Sequence, residues 1–405
     1  MSINMLGIWI RGLVAVALLV AGGLLVREWV AELPRESVAR DGSGVEVRRP
    51  LLTFTDRLAA WHPAPDRSTG LLAAGALLLI FCVGGRLVSP WAWRRSGVRT
   101  ARSRPGPRVQ RLKTRHGYEL HVEIHGPATA PALVLVHGLS CNRTQWRELI
   151  EDLGDRFRII AFDLLGHGRS DHVGSAEHTL EAAASDLDDV MALAGPEPAL
   201  LAGHSMGGMV ALTWCLAHAT TRARLAGLIL VHTTAHNPFE VMAPVPLHRM
   251  LQKPLHEPVL RFTPGVSLLV RFMNLLGYMN GITHWSNARA MFGGSESRGQ
   301  LERTARFHLG MDPGAVARFA LAMTRFEVRS MLPQCDVPTL VVEADHDRVT
   351  VPDASHDLFV RLPNAELLVL EKTRHMGFME RRREFAYAIE ELYENGANAG
   401  NVSVN

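Results

Sequence analysis

Lysine is nearly missing from this chain: of 43 basic side chains only Lys113, Lys253 and Lys372 are Lys, and the other 40 are Arg. That skew reads as GC-rich, bacterial coding and carries no chemistry of its own. Cysteine is sparse as well. Cys82, Cys141, Cys215 and Cys335 lie far apart with no CxxC pair, which argues against a cysteine zinc site and against a disulfide framework. Neither sign of charge dominates: 43 basic against 40 acidic residues leave +3, too little to mark a nucleic-acid binder. There is no HExxH, no P-loop and no GxGxxG after a strand. The expectation is therefore a protein without a metal, a nucleotide or another cofactor, and no protein partner is indicated.

Charge is also missing locally. Residues 1–26 hold one charge, Arg11, and Gly12–Val26 is wholly apolar or Gly. A second uncharged run, Thr69–Gly85, ends at Arg86. Each approaches the ~20 residues that a helix needs to cross the hydrocarbon layer. Trp9 and Trp29 flank the first run, and Trp61, Trp91 and Trp93 flank the second, as indoles do at a membrane–water interface. The pattern predicts a membrane anchor over 1–93 with two transmembrane helices, at about 8–27 and 69–88. A cleaved signal peptide is the competing reading of the first run, but the second run would still hold the protein.

Orientation follows from the basic residues. From Arg86 to Arg115 there are ten Arg or Lys and no acid, whereas 27–68 carries seven Arg against seven acids. The ten-to-none stretch should stay cytoplasmic. Both termini and everything after the hairpin then lie on the cytoplasmic side of a cell membrane, with Arg11 and Arg86 snorkelling toward that face. Residues 94–108 read as a basic linker and 395–405 as a disordered tail.

From about residue 109 short apolar runs alternate with helical periods. Val109–Lys113 and Tyr118–Ile124 bracket a turn at His116-Gly117, which predicts an antiparallel hairpin. Ala132–Val136, Arg158–Phe162, Ala199–Ala202, Gly227–Val231, Thr339–Val342 and Glu366–Leu370 read as buried strands, with helices such as Leu180–Leu193 and Met206–Ala217 between them. This is the pattern of an α/β fold: a mostly parallel sheet with helices on both faces. Ligands of such sheets sit beyond the carboxyl ends of the strands.

After Leu200-Leu201-Ala202 comes Gly203-His204-Ser205-Met206-Gly207, then a helix. The motif is G-x-S-x-G in the context of strand, sharp turn and helix. The turn is so tight that a side chain at 203 or 207 would strike backbone. The same turn presents the Ser205 hydroxyl beside the positive end of the helix. Here the chain resembles the α/β-hydrolase superfamily in its esterase and lipase branch, over roughly 109–393. The departures are Ala344 where Gly is common and a long segment between the sixth and seventh strands.

The resemblance implies an α/β-hydrolase fold with a helical cap, preceded here by the transmembrane hairpin. It implies a core at 109–234 and 334–394 and a cap at 235–333. It also implies the site. His137-Gly138-Leu139 is the family's HG-x turn, which makes the Leu139 and Met206 N–H groups an oxyanion hole; His137 would brace that loop. In Glu343-Ala344-Asp345-His346-Asp347 the family's spacing selects Asp347 as the acid, with Asp345 the runner-up. His375, after the last strand, takes the place of the base. A serine hydroxyl is a poor nucleophile at neutral pH, so His375 would take its proton and later protonate the leaving alcohol, while Asp347 orients the imidazole. Asp163-Leu164-Leu165-Gly166-His167-Gly168-Arg169-Ser170 matches a family turn that shapes a loop behind the site.

The cap segment holds eight Met, with Phe262, Phe272, Trp285 and Phe292. It would line an acyl pocket, touch the bilayer, or form only its own small core. The expected activity is hydrolysis of carboxylic esters, of lipophilic acyl groups because the enzyme is tethered to lipid, through an acyl-enzyme on Ser205. Thioesterase, carbon–carbon hydrolase and cofactor-free perhydrolase chemistry use the same triad. A non-catalytic lipid-binding scaffold is the reading from another class.

Overall fold

The computed structural model describes residues 5–41, 44–63, 66–92, 106–174, 176–217 and 219–402. Trp93 and most of the expected basic linker, 94–105, lie outside the described residues.

Two long apolar helices open the chain, α1 (Met5–Glu32) and, after a short helix α2 (Phe54–Ala60), α3 (Arg67–Ala92). They pack along each other in opposite directions, since Gly22 abuts Leu79 and Gly75 abuts Val26. A Cβ on Gly75 would stand 2.8 Å from Val26 and 3.0 Å from the Gly22 carbonyl, so the missing side chains let the helices approach. Trp29 and Trp61 meet edge to face at 5.5 Å at the far end of the pair. There the Arg57 guanidinium donates to the Val30, Leu33 and Pro34 carbonyls and closes the C-terminus of α1. The 27–68 stretch is more ordered than a plain loop. It forms an antiparallel ribbon of β1 (Glu36–Arg40) and β2 (Glu46–Pro50). Sequence did not show this ribbon because its strands, ESVAR and EVRRP, are mostly exposed and carry no apolar face.

The remainder of the chain is built on an eight-stranded sheet. In chain order its strands are β3 (Arg108–Lys113), β4 (Glu119–His125), β5 (Ala132–Val136), β6 (Arg158–Phe162), β7 (Ala199–His204), β8 (Leu225–Val231), β9 (Thr339–Ala344) and β10 (Ala365–Leu370). They lie in the order β10-β9-β8-β7-β5-β6-β4-β3. The β3–β4 and β4–β6 pairs are antiparallel, and every pair from β6 across to β10 is parallel. The central strands are buried along their whole length because helices cover both faces. Around the sheet lie α4 (Arg147–Leu153), α5 (Leu180–Met191), α6 (Met206–Ala217) and α7 (Ala219–Arg222).

Between β8 and β9 the chain leaves the sheet. It builds α8 (Val245–Leu251), α9 (Glu257–Phe262), α10 (Ser267–Met279), α11 (Ile282–Met291), α12 (Arg298–Phe307) and α13 (Pro313–Met323). This is the helical insertion expected over 235–333. The chain closes with α14 (Pro352–Arg361), α15 (Gly377–Glu380) and α16 (Arg382–Val402). The described part of 395–405 is thus helical through Val402.

Among the described residues, three stretches are long and apolar enough to cross a membrane: Ile8–Glu32, Arg67–Leu87 and Val245–Met279. The third is the α8–α10 run of the cap. The cytoplasmic snorkelling expected of Arg11 is not what the structure has. Arg11 is buried, and its guanidinium donates to Ser286 Oγ at 3.3 Å. Arg86 donates to the Tyr278 hydroxyl at 3.0 Å and lies over its ring. Both partners, Ser286 and Tyr278, belong to the cap.

Candidate active site

Each parallel strand ends at the same rim of the sheet, so the residue that follows each strand decides the chemistry. After β7 the chain turns at Ser205 with φ 54, a left-handed conformation that costs strain for any residue with a Cβ. The turn is held by Ser205 N–H donating to the Val231 carbonyl at 2.9 Å and by Thr233 Oγ1 donating to the Ser205 carbonyl at 2.7 Å. A Cβ at Gly203 would come 2.3 Å from the Gly207 carbonyl, and one at Gly207 would come 2.3 Å from that of Val136. Only glycine fits at these two positions.

After β9 and β10 come the acid and the imidazole. His375 Nδ1 lies 2.7 Å from Asp347 Oδ2, and both side chains are buried. The Asp347 carboxylate also accepts the Val349 N–H at 2.7 Å and lies 3.0 Å from Thr350 Oγ1. Burial alone would raise this carboxyl; His375 and His232 outweigh that and hold it below the ordinary aspartate value. Asp345 sits elsewhere. It accepts the Lys372 and Thr373 N–H groups and pairs with His346, so it shapes the loop before His375 without touching the imidazole.

Ser205 and His375 line one pocket, together with Leu139, Ser140, Cys141 and His204 from the core. His375 Nε2 has no hydrogen-bond partner among the described residues, so it is free to accept a proton. Ser205 Oγ is therefore not within bonding reach of it in this conformation. Such contacts are often loose without substrate and tighten when it binds. Leu139, which follows β5, lines this pocket, and Met206 follows Ser205 directly as the first residue of α6. His137 braces their loop: its Nε2 accepts the Leu164 N–H at 2.9 Å and its Nδ1 donates to the Gly138 carbonyl at 2.8 Å. His167, from the turn after β6, accepts the Ser140 N–H at 3.2 Å, and Asp163 holds the Arg143 guanidinium at 2.6 Å.

Two histidines escaped the sequence reading. His204 Nε2 and His232 Nδ1 both bond the His375 carbonyl, at 3.1 and 2.9 Å. His204, His232 and His375 offer ring nitrogens within 4.8 Å of one another, a set that could hold a metal ion. The hydrogen bonds explain the cluster without one: two imidazoles converge on the backbone of the third and fix its height above the sheet. Asking which residue follows β8 would have found His232. The cap adds Asn287, Met291, Thr304, Phe307 and His308 to the pocket, and Asn287 Oδ1 and His308 Nδ1 have no partner among the described residues. The cavity over Ser205 measures ≈ 20 Å³, room for about one water molecule. An acyl group enters only if the cap side chains or the cap itself shift. Hydrogen bonds tie the cap to the base loop and the short helix after it: the Met376 N–H donates to the Met291 carbonyl at 2.8 Å, Glu380 accepts the N–H groups of Gly293, Gly294 and Ser295, and Gln300 Nε2 donates to the Met379 carbonyl at 2.6 Å.

The buried imidazoles fix a pH dependence. Burial pushes His137 and His232 down to about 4 and His167 to about 3, from an ordinary 6.5. Unfolding restores the ordinary value, so below it the unfolded chain binds more protons than the folded one. The stability these groups contribute is complete above pH ~6.5 and is lost as pH falls from there toward the folded values. Thermal melts in detergent should be level from pH 8 to 7 and drop steadily from about 6.5 to 4. A midpoint that holds level down to pH 4 would contradict neutral buried imidazoles.

Fold and site together define an architecture: a serine on a strained elbow at the rim of a mostly parallel sheet, in one pocket with an imidazole that is bonded to a buried carboxylate. The sequence pattern of the Alpha/beta hydrolase family matches residues 133–388, more than half of the chain, and the chain belongs to that family. It is 28% identical over 282 residues to a pimeloyl-[acyl-carrier protein] methyl ester esterase of Aeromonas hydrophila, covering 67% of this chain and 98% of that one. It is 37% identical over 119 residues to an uncharacterized protein of Mycobacterium tuberculosis, covering 29% of this chain; it spans only 34% of that relative's length. Among solved structures it resembles a thermophilic esterase from Thermogutta terrifontis, with a TM-score of 0.54 and 27% identity over 71% of this chain and 99% of that one.

Proposed function

We propose that this chain is a membrane-anchored serine hydrolase that cleaves carboxylic esters of lipophilic acyl groups. The observation that carries the proposal is the Asp347–His375 bond of 2.7 Å, with His375 Nε2 free in the pocket that also holds Ser205. On this reading Ser205 Oγ attacks the ester carbonyl while His375 Nε2 takes its proton. The carbonyl oxygen becomes an oxyanion that the Leu139 and Met206 N–H groups stabilise. Collapse expels the alcohol, which leaves with the proton from His375, and an acyl-Ser205 ester remains. Water, activated by His375, then attacks that ester and releases the acid. Asp347 keeps its charge throughout and stabilises the imidazolium.

Lipophilic substrates are favoured by two features. Met291 and Phe307 give the pocket an apolar, adaptable roof. The α1–α3 pair matches the bilayer in length and composition. On this reading residues 1–93 form a two-span anchor in a cell membrane, and the ten basic residues from Arg86 to Arg115 support a cytoplasmic catalytic domain. An acyl-length series on the detergent-purified chain tests the substrate class. kcat/KM should rise with each added methylene, by up to roughly fourfold, until the pocket is filled. If acetyl esters turned over far faster than long acyl esters, the lipid reading would be wrong.

A further inference from the structure

The outer face of the cap is wrong for water. A helix on a protein surface turns polar residues outward. α10 turns out Leu268, Leu269, Phe272 and Leu275, with Arg271 among them, and Leu268 is 82% exposed. Just before it, Phe262 is 60% and Met250 66% exposed. Its other face is also apolar and is buried, by Val270, Met273 and Leu276. A helix that is apolar on both faces belongs in a core or in lipid, and no element among the described residues covers this one.

Its position says which. α10 packs on both long helices of the anchor. Gly12 of α1 meets the Met273 side chain, Trp9 Nε1 donates to Thr263 Oγ1 at 3.1 Å, and Gly85 of α3 lies against the Asn280 carbonyl. At this same level α1 exposes Ile10, Leu13 and Val14, and α3 exposes Val83 and Leu87. Apolar side chains are thus exposed both on the two anchor helices and on the cap helix that packs against them. Arg11 agrees with this: its charge sits at that level inside the cap, bonded to Ser286 rather than held out. The charge balance matches anionic headgroups. Over Val245–Met279 the basic residues are Arg249, Lys253, Arg261 and Arg271, and the acid is Glu257.

We infer that the α8–α10 face of the cap is inserted into the bilayer leaflet around the anchor. This makes the cap a third membrane-contacting element that lies in the leaflet without crossing it. The inference rests on the membrane reading of α1 and α3. Its consequence is for substrate entry. α11, which carries Asn287 and Met291 over Ser205, touches both α1 and α3. The pocket's roof thus stands at the lipid surface, and a lipophilic ester reaches it from the leaflet without first dissolving in water.

The test uses the full chain in nanodiscs whose lipids carry doxyl quenchers on the acyl chains. Single labelling sites are made by Leu268→Cys and Phe272→Cys on the cap, Leu13→Cys on α1, and Val360→Cys on α14 of the catalytic domain. Each is tagged with an environment-sensitive fluorophore, and the four native cysteines are buried. Labels at 268 and 272 should be quenched severalfold, as strongly as the label at 13, while the label at 360 is untouched. Quenching at 13 with 268 and 272 behaving like 360 would overturn the inference and leave the anchor standing. No quenching at 13 would overturn both.

Discussion

Ser205→Ala should lower kcat for ester hydrolysis by roughly 10⁴-fold or more, with KM little changed. The reason lies in the order of events. Without the hydroxyl no acyl-enzyme forms, and what remains is attack by a water that His375 is not placed to aim. The oxyanion donors Leu139 and Met206 would survive the substitution, so a residual rate above that in water is expected. Folding should be unaffected at the level of the melting temperature. Position 205 keeps its φ of 54 with Ala as with Ser, and its structural bonds run through the backbone N–H and carbonyl. A variant that retained more than a tenth of wild-type kcat would show that the nucleophile lies elsewhere.

The second large effect belongs to the acid, and a close competitor serves as its control. Asp347→Asn should cost roughly 10⁴-fold in kcat at neutral pH. The amide keeps the shape, but it presents either an N–H, which cannot accept from His375 Nδ1, or a weaker neutral oxygen. It also removes the charge that stabilises the imidazolium. Asp345→Asn should cost less than about tenfold, because Asp345 bonds the Lys372 and Thr373 N–H groups and not the imidazole. Steady-state kinetics on the two variants, alongside their melting curves, separate the roles. Equal losses in both variants, or the larger loss at 345, would reassign the acid.

The parts of the fold with strong local signals were legible. Ala132–Val136, Arg158–Phe162 and Met206–Ala217 have the same ends in the sequence reading and in the structure. The two strands lie in the middle of a sheet covered on both faces, so an unbroken apolar run marks them and polar residues mark their ends. The glycines around Ser205 were legible for a steric reason, and the structure gives it in the 2.3 Å approaches. Asp347 and His375 were placed by resemblance, and they lie side by side.

What was not legible depends on contacts between distant parts of the chain. His204 and His232 converge on a carbonyl 171 and 143 residues further on, and nothing in the sequence near either one records that. Cys215 and Cys335, 120 residues apart, stand 3.4 Å from each other as free thiols, which spacing alone could not reveal. Arg11 looked like a residue seeking water because its neighbours in sequence are apolar; its partner, Ser286, comes from the cap. The β1–β2 ribbon was missed because alternation signals a strand only when one face is buried, and these strands bury almost nothing.

The central claim is that Ser205 is an activated nucleophile, and one measurement addresses it without any assumption about substrate. The full chain in detergent is treated with a fluorophosphonate, and its tryptic peptides are mapped by mass spectrometry. The account predicts one phosphonyl adduct, on the peptide containing Ser205, and its loss when His375 is replaced by Ala. An adduct on a different side chain, or a folded wild-type chain that takes up no phosphonate at all, would contradict it.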